Sequence, residues 1–473
     1  MIEPAPTATD APSAAADAIR LHARALERHR AGDLKGAIAA YEELLQRHPA
    51  LPDAYNNLAV LLKAANRLPA AIACLRRALL HAPGSAMLHS NLGNMLWMSL
   101  AFDDAMAELR RAVALDPHRY EIHHNLGLLQ FSLGDYADAV ASYDRALALK
   151  PDARVVRWDR ALALLASGDL ARGFAAYDER IDLAATLPSI DRKLRAVRAI
   201  KLPLWNGEDI AGKTLWIYAE QGFGDTLQFC RLLPHAARRG ARIVFDCQPE
   251  LLRLLAGLPG VAELRASGAP VPHADFHLPL LSLPHRLGIT LDTIPAEVPY
   301  IAPPPPSPET RLRRPPGTRL AVGICWAGRA EHTNDHNRSL PLEPFFAFAD
   351  LPGVTLYSLQ KGPREGDLAA PGAAALVRDL APAIRDFADT ARFILQLDLV
   401  ITADTAIAHL AGALGRRAIV LLPFTPDWRW LGRREDSPWY PTLRLVRQPA
   451  PGDWTSAIGR ARDTLARALA ARS

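Results

Sequence analysis

Residues 120–153 read YEIHHNLGLLQFSLGDYADAVASYDRALALKPDA, and the same pattern recurs every 34 residues from residue 18. Each unit has alanine as its twentieth residue and a proline near its end: Ala37, Ala71, Ala105 and Ala139; Pro49, Pro83, Pro117 and Pro151. The eighth residue is Ala or Gly, and the twenty-fourth is Tyr or Leu. Because small residues let antiparallel helices approach closely and a large residue fills the gap, the pattern predicts helical hairpins that end at the proline.

This pattern resembles the tetratricopeptide repeat over residues 18–185, after a tail of residues 1–17 that we expect to be disordered. A fifth, degraded unit from Arg154 to about residue 185 keeps Asp169 and Tyr177 but lacks the closing proline. The loss is expected of a terminal repeat that caps the array. The resemblance implies an α-solenoid whose concave groove binds a polypeptide.

The sixth residue of three successive units is asparagine: Asn57, Asn91 and Asn125. An amide both donates to and accepts from an extended peptide backbone, so these side chains are candidates for peptide binding. The spacing resembles the asparagine ladder of the O-linked N-acetylglucosamine transferases. The alternative is that each amide bonds the backbone of a neighbouring helix, and both interpretations stay open at this stage.

Composition excludes several classes of protein. The chain has 473 residues, of which 49% are hydrophobic and 22% are charged. Its length predicts about three globular domains, and its composition is not that of an intrinsically disordered protein. It contains no apolar run long enough to span a bilayer, and its four cysteines have no disulfide or zinc spacing. We expect no secretory leader, because its N-terminal residues lack a cationic start followed by an apolar stretch. A net charge of +5 without basic blocks gives little support for nucleic-acid binding. We therefore expect a cytoplasmic protein without a metal.

Beyond a connector at residues 186–210, short β-rich runs alternate with helical stretches, which is typical of parallel α/β units. We expect an N-terminal lobe at 211–301, a proline-rich linker at 302–318, a C-terminal lobe at 319–452 and a terminal helix at 453–473. Strands are predicted at residues 214–219, 242–246, 319–326, 354–360, 398–402 and 417–422. Two such lobes resemble the GT-B fold of glycosyltransferases, whose active site is the cleft at the carboxyl ends of the strands.

The loop after the first predicted strand contains Gly222-Phe223-Gly224-Asp225. A dinucleotide fingerprint requires a further small residue where Leu227 stands, which disfavours that interpretation. The loop resembles that of the heptosyltransferase-like family, which implies that Asp225 is the general base and that Gly222 and Gly224 admit the acceptor. Physically, a carboxylate is needed to take the proton of an attacking hydroxyl. The alternative is that Asp225 only caps its helix.

The second lobe carries the donor-binding candidates. Asp404-Thr405-Ala406-Ile407-Ala408-His409 follows a predicted strand and opens a helix, where backbone N–H groups favour a diphosphate. The run resembles the D-T/S-x-x-x-H signature of the same family. Thr405 and Ala406 are then phosphate ligands and Asp404 orders the loop or binds nucleoside hydroxyls. His409 is either a ligand or a core histidine.

Three further residues complete the predicted donor site. Gln360 and Lys361 end a strand as diphosphate ligands do in the O-linked N-acetylglucosamine transferases, and Arg338 is the candidate to neutralise the departing phosphate. A solvated surface arginine is the alternative for Arg338. The nearby Glu331, His332, Asp335 and His336 are not expected to bind a metal. Three tryptophans either stack on a ligand or pack in the core: Trp428, Trp430 and Trp439.

The combined layout resembles bacterial tetratricopeptide-repeat glycosyltransferases, including those that modify flagellin. It implies metal-independent transfer from a nucleotide-sugar co-substrate, without a cofactor, to Ser or Thr of a protein held by the repeats, with flagellin as one candidate. Two alternatives stay open: a non-catalytic adaptor with a degenerate GT-B module, and a saccharide transferase of the lipopolysaccharide type.

Overall fold

The computed structural model describes residues 11–183, 200–329 and 334–471. Residues 1–10 of the predicted tail, residues 186–199 of the connector, and Glu331 and His332 lie outside these ranges. The chain divides into two compact units, residues 1–160 and 161–473, and the division falls inside the ninth helix.

The first unit consists of helical hairpins at the predicted 34-residue spacing. Its helices, with the ninth shared between the units, are α1 Ala11–Arg30, α2 Leu34–Arg47, α3 Pro52–Ala64, α4 Leu68–His81, α5 Ala86–Met98, α6 Phe102–Leu115, α7 Tyr120–Ser132, α8 Tyr136–Leu149 and α9 Arg154–Ser167. Since α1 begins at Ala11, residues 11–17 are helical where the sequence predicts disorder. The Ala-rich start favours a helix, and Asp17 is ion-paired with Arg20 and Arg47, at 2.6 and 3.4 Å.

Close packing within each hairpin follows from the small and large positions of the repeat. A Cβ on Gly93 of α5 would lie 2.7 Å from Cγ of Leu109, and one on Gly127 of α7 would lie 2.5 Å from the ring of Tyr143. Both distances are far below van der Waals contact, so glycine is required where the large residue of the second helix fills the interface. The predicted complementarity of positions 8 and 24 is thus confirmed in these two hairpins.

The second unit starts with the end of α9, continues through α10 Leu170–Tyr177 and α11 Arg180–Leu183, and then enters the first α/β lobe. The elements of this lobe are β1 Thr214–Tyr218, α12 Phe223–Phe229, α13 Leu233–Ala237, β2 Arg242–Cys247, α14 Leu252–Leu255, β3 Val261–Ala266, β4 Phe276–Pro279 and α15 Leu283–Arg286. Its strands are all parallel, in the order β3-β2-β1-β4. Leu204, at the end of the predicted connector, pairs with His277 of β4.

The second lobe contains β5 Leu320–Cys325, α16 Asp335–Arg338, β6 Val354–Ser358, α17 Ala373–Leu376, β7 Val377–Asp379, α18 Phe387–Gln396, β8 Leu399–Ala403, α19 Ala406–Ala413, β9 Ala418–Leu422, β10 Leu443–Arg447 and α20 Trp454–Ala470. The strands are parallel in the order β10-β9-β8-β5-β6-β7. In chain order this is the 3-2-1-4-5-6 arrangement of a doubly wound Rossmann sheet, and the first lobe repeats its 3-2-1-4 part. The fold is therefore an α-solenoid of repeats followed by two Rossmann-like lobes.

The proline-rich segment 302–318 joins neither sheet, as predicted, but it is fastened along the second lobe. The backbone of Thr310 accepts from Nε2 of Gln396 at 2.8 Å, and Arg314 is paired with Asp398 at 2.9 Å. The hydroxyl of Tyr357 donates to the carbonyl of Arg313 at 2.9 Å. The segment is thus held by specific contacts rather than acting as a plain spacer.

Candidate functional site

Asp225 lies in the first turn of α12, just beyond the carboxyl end of β1. Its Oδ2 accepts a hydrogen bond from the backbone N–H of Gly222 at 2.9 Å, so it does cap the helix. Its Oδ1 accepts from a guanidinium nitrogen of Arg429 in the second lobe. The side chain is 18% exposed, and both of its oxygens are engaged.

Arg429 is the partner that sequence reasoning did not identify. It stands in a short 3-10 turn, Trp428–Trp430, after β9, and its guanidinium also donates to Oδ1 of Asp427 at 2.8 Å. The guanidinium lies over the indole of Trp428, 4.3 Å from the ring centroid. Burial disfavours its charge, but Asp225 and Asp427 hold the pKa of Arg429 above its usual value. The only feature of the sequence that could have indicated Arg429 is the charged pair Asp427 and Arg429 among the tryptophans of residues 427–430.

Gly224 brings the loop of the first lobe directly onto α19 of the second. A Cβ at Gly224 would lie 2.8 Å from Cδ2 of His409, so glycine is required by the close approach. His409 is buried, stacks on Trp430 at 5.1 Å and shares a hydrogen bond through Nδ1 with the hydroxyl of Tyr440 at 3.0 Å. Burial, reinforced by Arg429, lowers the pKa of His409 to about 3. This geometry favours the core-histidine interpretation.

Asp404 follows β8 and is buried close to Asp427. Burial first, and then repulsion from Asp427, raise the pKa of Asp404 to about 6, while Arg338 opposes the rise. The site therefore contains a carboxyl group that binds a proton more readily than an ordinary aspartic acid.

Thr405 caps α19 through its hydroxyl oxygen. Its Oγ1 accepts from the backbone N–H of Ile407 at 3.2 Å and shares a hydrogen bond with Oγ1 of Thr402 at 3.1 Å. The cap uses an acceptor lone pair of Oγ1, so phosphate binding by the hydroxyl proton of Thr405 stays a prediction. Ala406, the first residue of the helix, lies beside Gly224.

Gln360 and Lys361 are adjacent in sequence but differ in environment. Gln360 is buried, and its Oε1 accepts from the backbone N–H groups of Trp326 and Ala327 at 3.2 and 3.0 Å. It therefore joins the loops after β5 and β6. The ammonium of Lys361 is paired with Glu365 at 3.4 Å and its side chain is 44% exposed. Diphosphate binding by Gln360 and Lys361 stays a prediction.

Arg338 lies at the end of α16 and is largely buried, not a solvated surface arginine. Its Nε is paired with Asp335 at 3.4 Å, and its guanidinium folds against Gly328, where a Cβ would lie 2.7 Å from Nη2. Its charge also lowers the pKa of Asp404. The positive charges of Arg338 and Arg429 thus both oppose the rise in the pKa of Asp404.

The donor candidates converge where the chain order of the second sheet reverses, between β5 and β8. At this point Sγ of Cys325, which ends β5, lies 3.8 Å from Oγ1 of Thr405 and donates to Oε1 of Gln360 at 3.4 Å. Open α/β sheets bind ligands beyond their carboxyl ends at this reversal. Asp404 and the start of α19 therefore occupy the position expected of a ligand site.

The last repeat also contacts this site. Tyr177, at the end of α10, is buried, and its hydroxyl accepts from Nε2 of Gln221 at 2.9 Å. Its ring lies 5.9 Å from that of Trp428, and Phe174 meets the same indole edge-on at 5.7 Å. Trp430 and Trp439 are buried as well, so the tryptophans pack in the core.

The asparagines at position 6 form contacts between repeats of the first unit. Nδ2 of Asn91 donates to Oδ1 of Asn56 at 2.7 Å, and Nδ2 of Asn125 donates to Oγ of Ser90 at 2.9 Å, each reaching 35 residues back. Nδ2 of Asn57 donates to the hydroxyl of Tyr41 at 3.1 Å. The observed partners are side chains of the preceding repeat, neither a helix backbone nor a peptide, and peptide binding by these residues stays a prediction.

The same ladder continues into the fifth repeat with different chemistry. Asp159, at position 6, is paired with Nε2 of His124 at 2.7 Å, again 35 residues back. The side chain at position 6 of one repeat therefore bonds the side chain at position 5 of the preceding repeat, and we call each such pair a rung. The 35-residue separation of its two members follows directly from the 34-residue repeat.

Within residues 11–183, 200–329 and 334–471, His, Cys, Asp and Glu nowhere gather in a group of three able to hold a metal ion. Among the helices of the same ranges, none combines the length and apolarity needed to cross a membrane.

Comparison with known proteins supports the repeats most strongly. Family models described as tetratricopeptide repeat match residues 28–92 and 120–153. The repeats are tetratricopeptide repeats. Modules of this kind characteristically bind other proteins. A curated relative, Protein FlbA of Caulobacter vibrioides, is 26% identical over 283 residues, which cover 54% of this chain and 47% of FlbA. The match thus spans about half the length of that relative.

Solved structures similar to this chain cover little more than a third of it. They include MamA, at 22% identity and a TM-score of 0.32, covering 36% of this chain and 95% of that one. PilW, described as a widely conserved type IV pilus biogenesis factor, is 26% identical with a TM-score of 0.34, covering 37% and 82%. A thermophilic TPR protein of Thermus thermophilus is 22% identical with a TM-score of 0.32, covering 38% and 97%.

Proposed function

We propose that this protein is a glycosyltransferase that moves a sugar from a nucleotide-sugar donor to a Ser or Thr hydroxyl of a protein bound by its repeats. The observation that carries the proposal is the ion pair of Asp225 with Arg429, a guanidinium whose charge also acts on Asp404 and His409. These residues stand at the carboxyl ends of two Rossmann-like sheets, where such folds bind nucleotides. The sequence resemblance to heptosyltransferase-like enzymes points to the same loops.

Charge balance indicates how a donor would enter. Asp225, Asp427 and Asp404 are three carboxyl groups, whereas Arg338 and Arg429 supply two guanidiniums. A donor diphosphate adds further negative charge. It therefore requires a guanidinium that, in this structure, is paired with a carboxylate. We infer that the phosphate takes Arg429 from Asp225 and thereby frees one oxygen of the proposed base.

The chemical step then follows from these roles. Asp225 accepts the proton of the acceptor hydroxyl. At the same time, the oxygen of that hydroxyl forms a bond to the anomeric carbon of the donor sugar. The bond between that carbon and the donor phosphate breaks, and its electron pair leaves with the nucleoside diphosphate. Arg429 and Arg338 stabilise the charge that develops on the leaving phosphate. Asp404, buried beside the start of α19, is the acceptor for a nucleoside hydroxyl.

A non-catalytic adaptor is the second candidate, and three observations favour it. The two loops touch at Gly224 and His409, both oxygens of Asp225 are engaged, and the hydroxyl of Thr405 is used in a helix cap. In an adaptor, the bond between Asp225 and Arg429 is a permanent connection between the lobes, and the repeats alone carry the function.

Calorimetric titration of the full chain with UDP-, GDP-, CMP- and dTDP-sugars separates the two candidates, because an adaptor takes up none of them. Asp225→Asn should retain donor binding and lose transfer to protein hydroxyls, read by mass spectrometry of flagellin as the trial acceptor. Transfer to free saccharides instead of flagellin would support the lipopolysaccharide-type alternative. A fully active Asp225→Asn enzyme would remove the base assignment.

The chain offers a matched control for this variant. Asp386 also caps a helix, accepting from the backbone N–H of Ala388 at 2.9 Å, and it is also paired with an arginine of the other lobe, Arg253. It stands at the start of α18, outside the cluster around Asp225. Asp386→Asn should therefore lose a comparable ion pair and keep its helix cap, while transfer persists.

A further inference from the structure

The second helix of the last repeat belongs to the same compact unit as the two lobes and contacts the candidate site. Phe174 packs edge-on against Trp428 at 5.7 Å and against Phe229 of α12 at 6.3 Å. Tyr177, one turn later, contacts Trp428 at 5.9 Å. Since the guanidinium of Arg429 lies 4.3 Å from the centroid of the same indole, α10 fixes the ring on which Arg429 rests.

Tyr177 also holds the loop that carries Asp225. Its hydroxyl accepts from Nε2 of Gln221, and the carbonyl of Gln221 accepts from Nε2 of Gln248 at 2.8 Å. Gln221 immediately precedes Gly222, whose N–H is bonded to Asp225. One buried side chain thus contacts both the indole beneath Arg429 and the loop of Asp225.

We propose that Tyr177 of the last repeat is a positioning residue for the transfer site, setting the alignment of Asp225 with Arg429 from both sides. This inference rests on the proposed function. It makes the final repeat part of the transferase site, in addition to its place in the protein-binding array. The tyrosine stands at position 24 of its repeat, so a repeat residue has acquired this second role.

The first test needs no substrate. In a double-mutant cycle of Tyr177→Phe with Asp225→Ala, measured by urea unfolding of the second unit of the full chain, we expect non-additivity of about fivefold in the unfolding equilibrium constant. The matched control is Tyr143→Phe, which changes the buried tyrosine at position 24 of the preceding repeat. Its cycle with Asp225→Ala should be additive. Additivity for Tyr177 as well would overturn the inference.

The second test uses turnover of whichever UDP-, GDP-, CMP- or dTDP-sugar gives transfer. Loss of one hydrogen bond should lower kcat of Tyr177→Phe about tenfold, with the donor KM within about twofold of wild type. Tyr143→Phe should keep the wild-type kcat, and a Tyr177→Phe enzyme that also keeps it would refute the inference. Absence of turnover in the wild type refutes the proposed function instead, and the unfolding cycle then decides the positioning role alone.

Discussion

Replacing His409 should change how the stability of the second unit depends on pH. The buried imidazole has a pKa of about 3, whereas an unfolded histidine titrates near 6.5. Below pH 6.5 the unfolded chain binds a proton that the folded chain rejects, so the stability supplied by His409 is complete above that pH and is lost as the pH falls. Between pH 7.5 and 5.5 this linkage removes about 1.4 kcal/mol from the free energy of unfolding.

Urea unfolding of the wild type and His409→Gln at pH 7.5, 6.5 and 5.5 measures this term. The variant should be less stable at every pH, since it loses the stacking on Trp430. Between pH 7.5 and 5.5, however, its free energy of unfolding should fall by about 1.4 kcal/mol less than that of the wild type. Asp404 has the opposite effect, because its raised pKa of about 6 favours the folded state as the pH falls. Both proteins contain Asp404, so its contribution cancels in the difference between wild type and His409→Gln. His285→Gln, at an exposed histidine of the same unit, is the control. Parallel pH curves for wild type and His409→Gln would refute the burial argument.

Three further substitutions test packing and polar contacts. Gly224→Ala should destabilise the second unit by about 1–3 kcal/mol, since its Cβ would meet His409, whereas Gly459→Ala, in open space on α20, should stabilise it by about 0.5–1 kcal/mol; equal thermal shifts would contradict this. Asn125→Ala should destabilise the first unit by about 1–2 kcal/mol in urea, and no loss would mean that its rung contributes nothing. Gln360→Leu should cost about 2–4 kcal/mol by calorimetry, because two buried N–H groups lose their acceptor, and a neutral effect would disprove that role.

The sequence predicted those features that are local. Repeat hairpins could be read from periodicity, because the contact of Gly127 with Tyr143 spans only sixteen residues. The six predicted strands are present with their ends shifted by two residues or fewer. The strands at Val261–Ala266, Phe276–Pro279, Val377–Asp379 and Leu443–Arg447 were not predicted, since they are short or partly exposed and lack a clear apolar run. Thr405 as a helix cap follows a simple local rule that our donor assignment passed over.

The site itself was only partly predictable. Asp225 was identified from its glycine loop, but its partner Arg429 is 204 residues away and surrounded by tryptophans that draw attention to packing. Likewise, no local pattern tells whether the amide of Gln360 points to a ligand or to the backbone of the neighbouring loop. Such choices depend on which loops the sheet order brings together, and a single sequence does not contain that order.

The rungs between position 5 of one repeat and position 6 of the next constrain how this array can change over time. Because each rung joins residues 35 apart, inserting or deleting one residue between the two members of a rung changes that separation and would disrupt their contact. Duplicating a whole 34-residue unit would preserve every one of them. The number of units is therefore free to vary by tandem duplication, whereas the length of each is fixed.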